Sequence, residues 1–123
     1  MAISRREILK LGVSYGTGAI NFGNDSVAYD RELRKFTNNE AYAAFKAALV
    51  PQGEGDEATV DMAAAAEAGR AFQSLCGNLA ISGLYMKMSD ILAQLDEECL
   101  PAVAELDDLE ADYQALVSYL KSA

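Results

Sequence analysis

The sequence predicts an all-α protein, an up-and-down four-helix bundle behind a helical or extended N-terminal segment. Three observations carry this. Apolar residues recur at helical spacing along most of the chain, and no run alternates with the two-residue period of a strand. The composition is that of a helix former, 51% hydrophobic with many Ala and Leu, two Pro and no Trp in 123 residues. Short polar or Gly/Pro interruptions separate the apolar stretches, which makes successive helices antiparallel neighbours. A chain of this length builds one domain.

Residues 1–28 read apart from the rest. From Tyr29 the pattern is helical, with a lead-in at Tyr29 to Phe36. Thr37, Asn38 and Asn39 offer a cap for a first helix whose Tyr42, Phe45 and Leu49 share one face. Pro51-Gln52-Gly53-Glu54-Gly55 cannot continue it and forms a loop. An Ala-rich second helix starts near Asp56 or Thr59, and Phe72, Leu75, Leu79 and Met86 carry it to Ser82-Gly83 or Lys87. Ser89 caps a third segment in which Ile91, Leu92 and Leu95 repeat. Pro101 suits the first turn of the last helix, whose apolar face holds Val103, Leu106, Leu109, Tyr113, Leu116 and Leu120.

Charge and residue types exclude several functions. With 10 basic against 19 acidic residues, the net charge of −9 repels nucleic acid and anionic membrane surfaces. There is no His, hence no triad built on His, no ordinary zinc site and no Glu-x-x-His di-iron pair. The glycines follow no strand and make no phosphate loop. Nine acids lie between Lys87 and Lys121 without a base among them: Asp90, Asp96, Glu97, Glu98, Glu105, Asp107, Asp108, Glu110 and Asp112. They read as a solvated face or as a docking surface for a basic partner, and they lack the spacing of an EF-hand. Arg31, Arg34 and Lys35 concentrate the opposite sign and make a second candidate contact. Tyr85, Met86 and Met88 read as core or as a binding face. No cofactor or metal site is expected, and a small enzyme using only carboxylates and Tyr is the weakest class.

Cys76 and Cys99 are the only thiols. Their midpoint falls between Lys87 and Met88, just before the Ser89 cap. A hairpin turning there would place them opposite each other, and a disulfide would contribute about 3 kcal/mol. Two buried free thiols are the alternative.

The most specific motif comes first. Ser4-Arg5-Arg6-Glu7-Ile8-Leu9-Lys10 matches the twin-arginine export pattern S-R-R-x-F-L-K, with Ile8 in place of Phe. Leu11 to Ile20 is apolar but diluted by Gly12, Gly16 and Gly18, too short and too polar to span a membrane. Ser26-Val27-Ala28 offers a small-x-small cleavage site before Tyr29. Removing residues 1–28 takes three basic and two acidic residues and leaves a net charge of −10. The alternative reading makes Arg5, Arg6 and Lys10 the charged face of a short amphipathic helix.

With this address, size and helical body, residues 29 to 123 resemble the extrinsic lumenal subunits of photosystem II, the Q-like group of small four-helix proteins of algae. The resemblance implies a non-catalytic subunit on the lumenal face of the photosystem in the thylakoid. It would support oxygen evolution by protein–protein contact without ligating the manganese cluster, and Arg31, Arg34, Lys35, Asp107, Asp108, Glu110 and Asp112 would touch the membrane complex. The other class compatible with the motif is the small subunit of an exported periplasmic oxidoreductase.

Overall fold

The structure, a computed structural model, describes residues 3–123. Seven α-helices form among the described residues: α1 Arg5–Lys10, α2 Tyr15–Asn21, α3 Ser26–Lys35, α4 Ala41–Ala48, α5 Met62–Asn78, α6 Ser82–Asp96 and α7 Val103–Ser122. The all-α expectation holds, and the packing is compatible with a helical bundle. None of the described helices is long and apolar enough to cross a membrane.

Local chemistry starts the helices. Ser4, Asp25 and Asp61 each accept the backbone N–H three residues on, at 3.3, 3.0 and 3.1 Å, which satisfies one of the orphan donors of α1, α3 and α5. Asn39 does the same for α4, accepting from the Tyr42 N–H at 2.9 Å. The loop after α4 is drawn together by a reciprocal backbone pair between Gln52 and Thr59.

The ends of the helices correct the expected boundaries. α5 stops at Asn78 rather than running to residues 82–87. Ile81 N–H bonds Cys76 C=O at 2.9 Å and Ala80 N–H bonds Gly77 C=O at 3.2 Å, the double closure of a Schellman motif. Ala80 takes the left-handed conformation at φ 55°, although it is not the usual glycine, and the apolar pair at the two ends of the motif, Cys76 and Ile81, is fully buried. α6 therefore starts at Ser82, and Ser89 lies in its middle, its hydroxyl turned back to the Tyr85 carbonyl at 3.3 Å. Pro101 precedes α7 by two residues and is not in its first turn.

Side-chain pairs show how the helices run. Arg70 pairs with Asp96, and Gln73 bonds Ser89 at 2.8 Å, so α5 and α6 form an antiparallel hairpin. Tyr42 packs on Phe72, with ring centroids 5.0 Å apart, and the position of a Gly69 Cβ would lie 3.2 Å from Phe45, so α4 lies antiparallel to α5. Lys87 to Asp112 and Gln94 to Glu105 align α6 antiparallel to α7. A cluster of Phe36, Tyr42, Phe72 and Tyr113 joins α4, α5 and α7, with Tyr42 and Tyr113 stacked at 3.8 Å.

The N-terminal segment is part of this core. Ile8 and Val13 are fully buried, and Ile3, Tyr15 and Ala19 are nearly so. The expected boundary between residues 28 and 29 falls inside α3, and Ser26-Val27-Ala28 forms its first turn. Backbone bonds hold the segment to the α5–α6 turn: Ser14 N–H to Ala80 C=O and Gly83 N–H to Gly12 C=O, both at 2.9 Å. The Tyr29 hydroxyl donates to Leu79 C=O at 2.6 Å, and Gly18 lies flush on the Tyr29 ring.

A Cβ at Gly18 would come within 1.9 Å of the Tyr29 ring. Gly18→Ala is therefore expected to destabilise the chain by about 1–3 kcal/mol, read from the midpoint of urea unfolding. An unchanged midpoint would mean that α2 does not pack on Tyr29.

Candidate functional site

The docking candidates of α7 face countercharges on the neighbouring helices. Asp108 and Asp112, one turn apart, both pair with Lys87 of α6, Asp108 at 2.7 Å. Between them in sequence and on another flank, Glu110 accepts from Lys46 of α4 at 2.6 Å and from the Tyr42 hydroxyl at 2.5 Å. Three of the four acids proposed for a partner thus clamp α7 to α6 and α4. The lysines that meet these acids precede the run in sequence, and only the antiparallel packing brings them alongside. Asp107 is exposed.

The basic candidates are likewise distributed. Arg34 donates to the Ala123 carbonyl at 2.5 Å and ties α3 to the end of α7. Lys35 pairs with Glu32 one turn earlier at 3.1 Å, and Arg31 stands exposed. On the export heptad, Ser4, Arg5, Arg6, Leu9 and Lys10 are exposed while Ile8 points into the core. The Arg5 guanidinium lies 4.6 Å over the Tyr15 ring, and Lys10 pairs with Glu7 at 3.8 Å. Tyr85 and Met86 are exposed beside Thr17 and Gly77, whereas Met88 is core.

The thiols are not joined. Cys76 is fully buried in α5, and Cys99 is exposed beyond the end of α6. The hairpin turns at Leu79–Ile81, seven residues before the expected point near residue 88. The 15 residues of α6 then carry Cys99 roughly 22 Å toward the other end of the hairpin. Burial pushes the Cys76 thiol up to about 12.

Electrostatics follow the clamps. The Lys46 ammonium, then the Tyr42 hydroxyl, lower the Glu110 pKa from the ordinary glutamate value. Asp108 and then Asp112 raise that of Lys87. Burial, with Glu110 second, raises Tyr42, so its phenol stays protonated and donating. No group of three or more His, Cys, Asp or Glu among the described residues is placed to hold a metal ion.

The sequence reading missed an open groove of about 680 Å³ at the end of the hairpin away from the turn. The start of α5 supplies Val60, Asp61, Met62, Ala63, Ala66 and Arg70, and the end of α6 supplies Leu95, Asp96 and Glu98. The signal present in the sequence was the Glu97-Glu98 pair immediately after an apolar helix, but only the hairpin register brings it opposite Asp61.

Three outcomes check this arrangement. Lys87→Met leaves Asp108 and Asp112 facing each other without a cation, and is expected to lower stability by about 1 kcal/mol, less in molar salt. Because its folded pKa is lowered, Glu110 contributes stability that is complete above the ordinary value of about 4.3 and is lost as pH falls through the folded value. The urea midpoints of wild type and Glu110→Gln should therefore converge on acidification. Native protein should react with Ellman's reagent at Cys99 alone, and at both thiols in urea. A bridged pair would give neither signal.

No protein-family model, no curated protein and no solved structure matches the chain.

Proposed function

We propose that the chain is an exported, non-catalytic accessory subunit that docks on the lumenal face of photosystem II and supports oxygen evolution and the stability of the complex. The observation that carries this reading is the twin-arginine heptad, whose Arg5 and Arg6 are presented to solvent on α1 in front of an acidic helical body. The antiparallel pairings of α4 with α5, α5 with α6 and α6 with α7 support an up-and-down four-helix body. Charge supports attachment by protein–protein contact, since a net charge of −9 opposes binding to an anionic lipid surface.

The packed N-terminal segment makes this reading testable. Cleavage after Ala28 would remove Ile8, Val13, Tyr15 and Ala19 from the core and leave the Ala80 carbonyl and the Gly83 N–H without their partners. The folded form with residues 3–28 in its core is thus the precursor, in keeping with a route that carries folded cargo.

Intact mass of the protein purified from its native membranes, with identification of its companions, is the test. A chain beginning at Tyr29 together with photosystem II subunits is the expected result. A mass retaining Met1 with cytosolic companions overturns it, and companions from a periplasmic oxidoreductase transfer the subunit role to that class. Washing with about 1 M salt, where the Debye length is roughly 3 Å, should release the protein from the membranes. Retention would overturn electrostatic docking.

A further inference from the structure

We propose that the groove between the first turns of α5 and the last turn of α6 is the docking site for a basic amphipathic helix of a partner protein. The inference rests on the docking reading above and assigns it a face. The groove joins two kinds of surface. Met62, Ala63, Ala66 and Leu95 offer apolar contact, and Asp61, Asp96 and Glu98 supply negative charge beside it. The only cation among its residues, Arg70, is paired with Asp96.

The end of α6 adds an independent observation. A helix C-terminus carries a partial negative charge and favours cations, and the last turn of α6 contains none. Asp96, Glu97 and Glu98 stand there instead. Glu98 occupies the left-handed region at φ 60°, a position glycine fills without strain. Three of the acids of α7, Asp108, Glu110 and Asp112, pair with lysines within the fold, whereas Glu97 and Glu98 are exposed beside a groove of about 680 Å³. Charge complementarity therefore selects a cationic occupant, and the apolar lining selects one with a large aliphatic or aromatic anchor on the same face as its Lys or Arg. That is the pattern of an amphipathic helix laid in a groove. An anionic or purely polar segment would desolvate the carboxylates without compensation.

The probe is a fluorescein-labelled Leu/Lys peptide of about 14 residues, roughly four turns of helix, titrated with the full chain and followed by anisotropy. Ala63→Trp fills the groove without changing its charge, and the pair Asp96→Asn with Glu98→Gln removes charge without filling it. Each is expected to weaken binding at least about tenfold, a loss of roughly 1.4 kcal/mol. Glu7→Gln with Glu40→Gln makes the same change of net charge at two exposed positions outside the groove and outside the acidic run, and should stay within about twofold. Equal loss in that control means undirected attraction to an acidic protein and overturns the proposal, as does wild-type binding by Ala63→Trp with its helicity and melting intact. Self-association abolished by Ala63→Trp would assign the groove to a second copy and overturn the heterologous partner. Groove variants that still assemble with photosystem II remove the groove and leave the subunit reading. Peptide binding that depends on the groove, in a protein that never associates with photosystem II, does the reverse.

Discussion

The turn at Leu79–Ile81 is the constraint on which the rest of the structure depends. Its two crossed backbone bonds end α5 without a glycine, because burying Cys76 and Ile81 together offsets the strain of Ala80 in the left-handed region. Once α5 stops there, the register of α6 against α5 follows: Arg70 faces Asp96, Gln73 faces Ser89, and Leu92 packs over Gly69, where the place of a Cβ lies 2.9 Å from its Cδ2. The same register sends Cys99 to the far end of the hairpin and points Lys87 toward α7.

The turn also organises the N-terminal segment. A helix end exposes carbonyls and a helix start exposes N–H groups, and both lie here within a few residues. Ser14 and Tyr29 supply donors to Ala80 and Leu79, and Gly12 supplies an acceptor to Gly83. An irregular, glycine-rich stretch that reads from sequence as a diluted export segment thereby serves as the cap of the hairpin. Gly12 fits because it holds φ 86° while its backbone meets that of Gly83. The heptad and part of the core share one segment, with Arg5 and Arg6 outside and Ile8 inside.

Three acids of α7, Asp108, Glu110 and Asp112, acquire partners within the fold through the same geometry. Along the helix they repel, and an isolated α7 would be weakened by them. Alongside Lys46 and Lys87 they become lateral ties, modest individually because they remain partly solvated. Charge free of such ties remains at the end of α6, beside the groove.

The sequence by itself determined that the chain is helical, that a cap for α4 lies within Thr37, Asn38 and Asn39, and that residues 51–55 leave the helix, because caps, periodicity and Pro or Gly act over a few neighbouring residues; it set the start of α5 near Asp56 or Thr59, and the structure sets it at Met62 behind the Asp61 cap. It determined the apolar face of α7 from Leu106 onward and, in one of its two readings, the charged face of α1 with Arg5, Arg6 and Lys10, for the same reason; Val103 is exposed. Only the tertiary structure decided where α5 ends, since a left-handed alanine is tolerated through burial that no local pattern records. That one displacement separated Cys76 from Cys99 and moved Ser89 from a cap into the middle of a helix, while the packing of α7 on α6 and α4 gave Asp108, Glu110 and Asp112 partners within the fold. Charges far apart in the chain meet only when register is set, and register is set by packing.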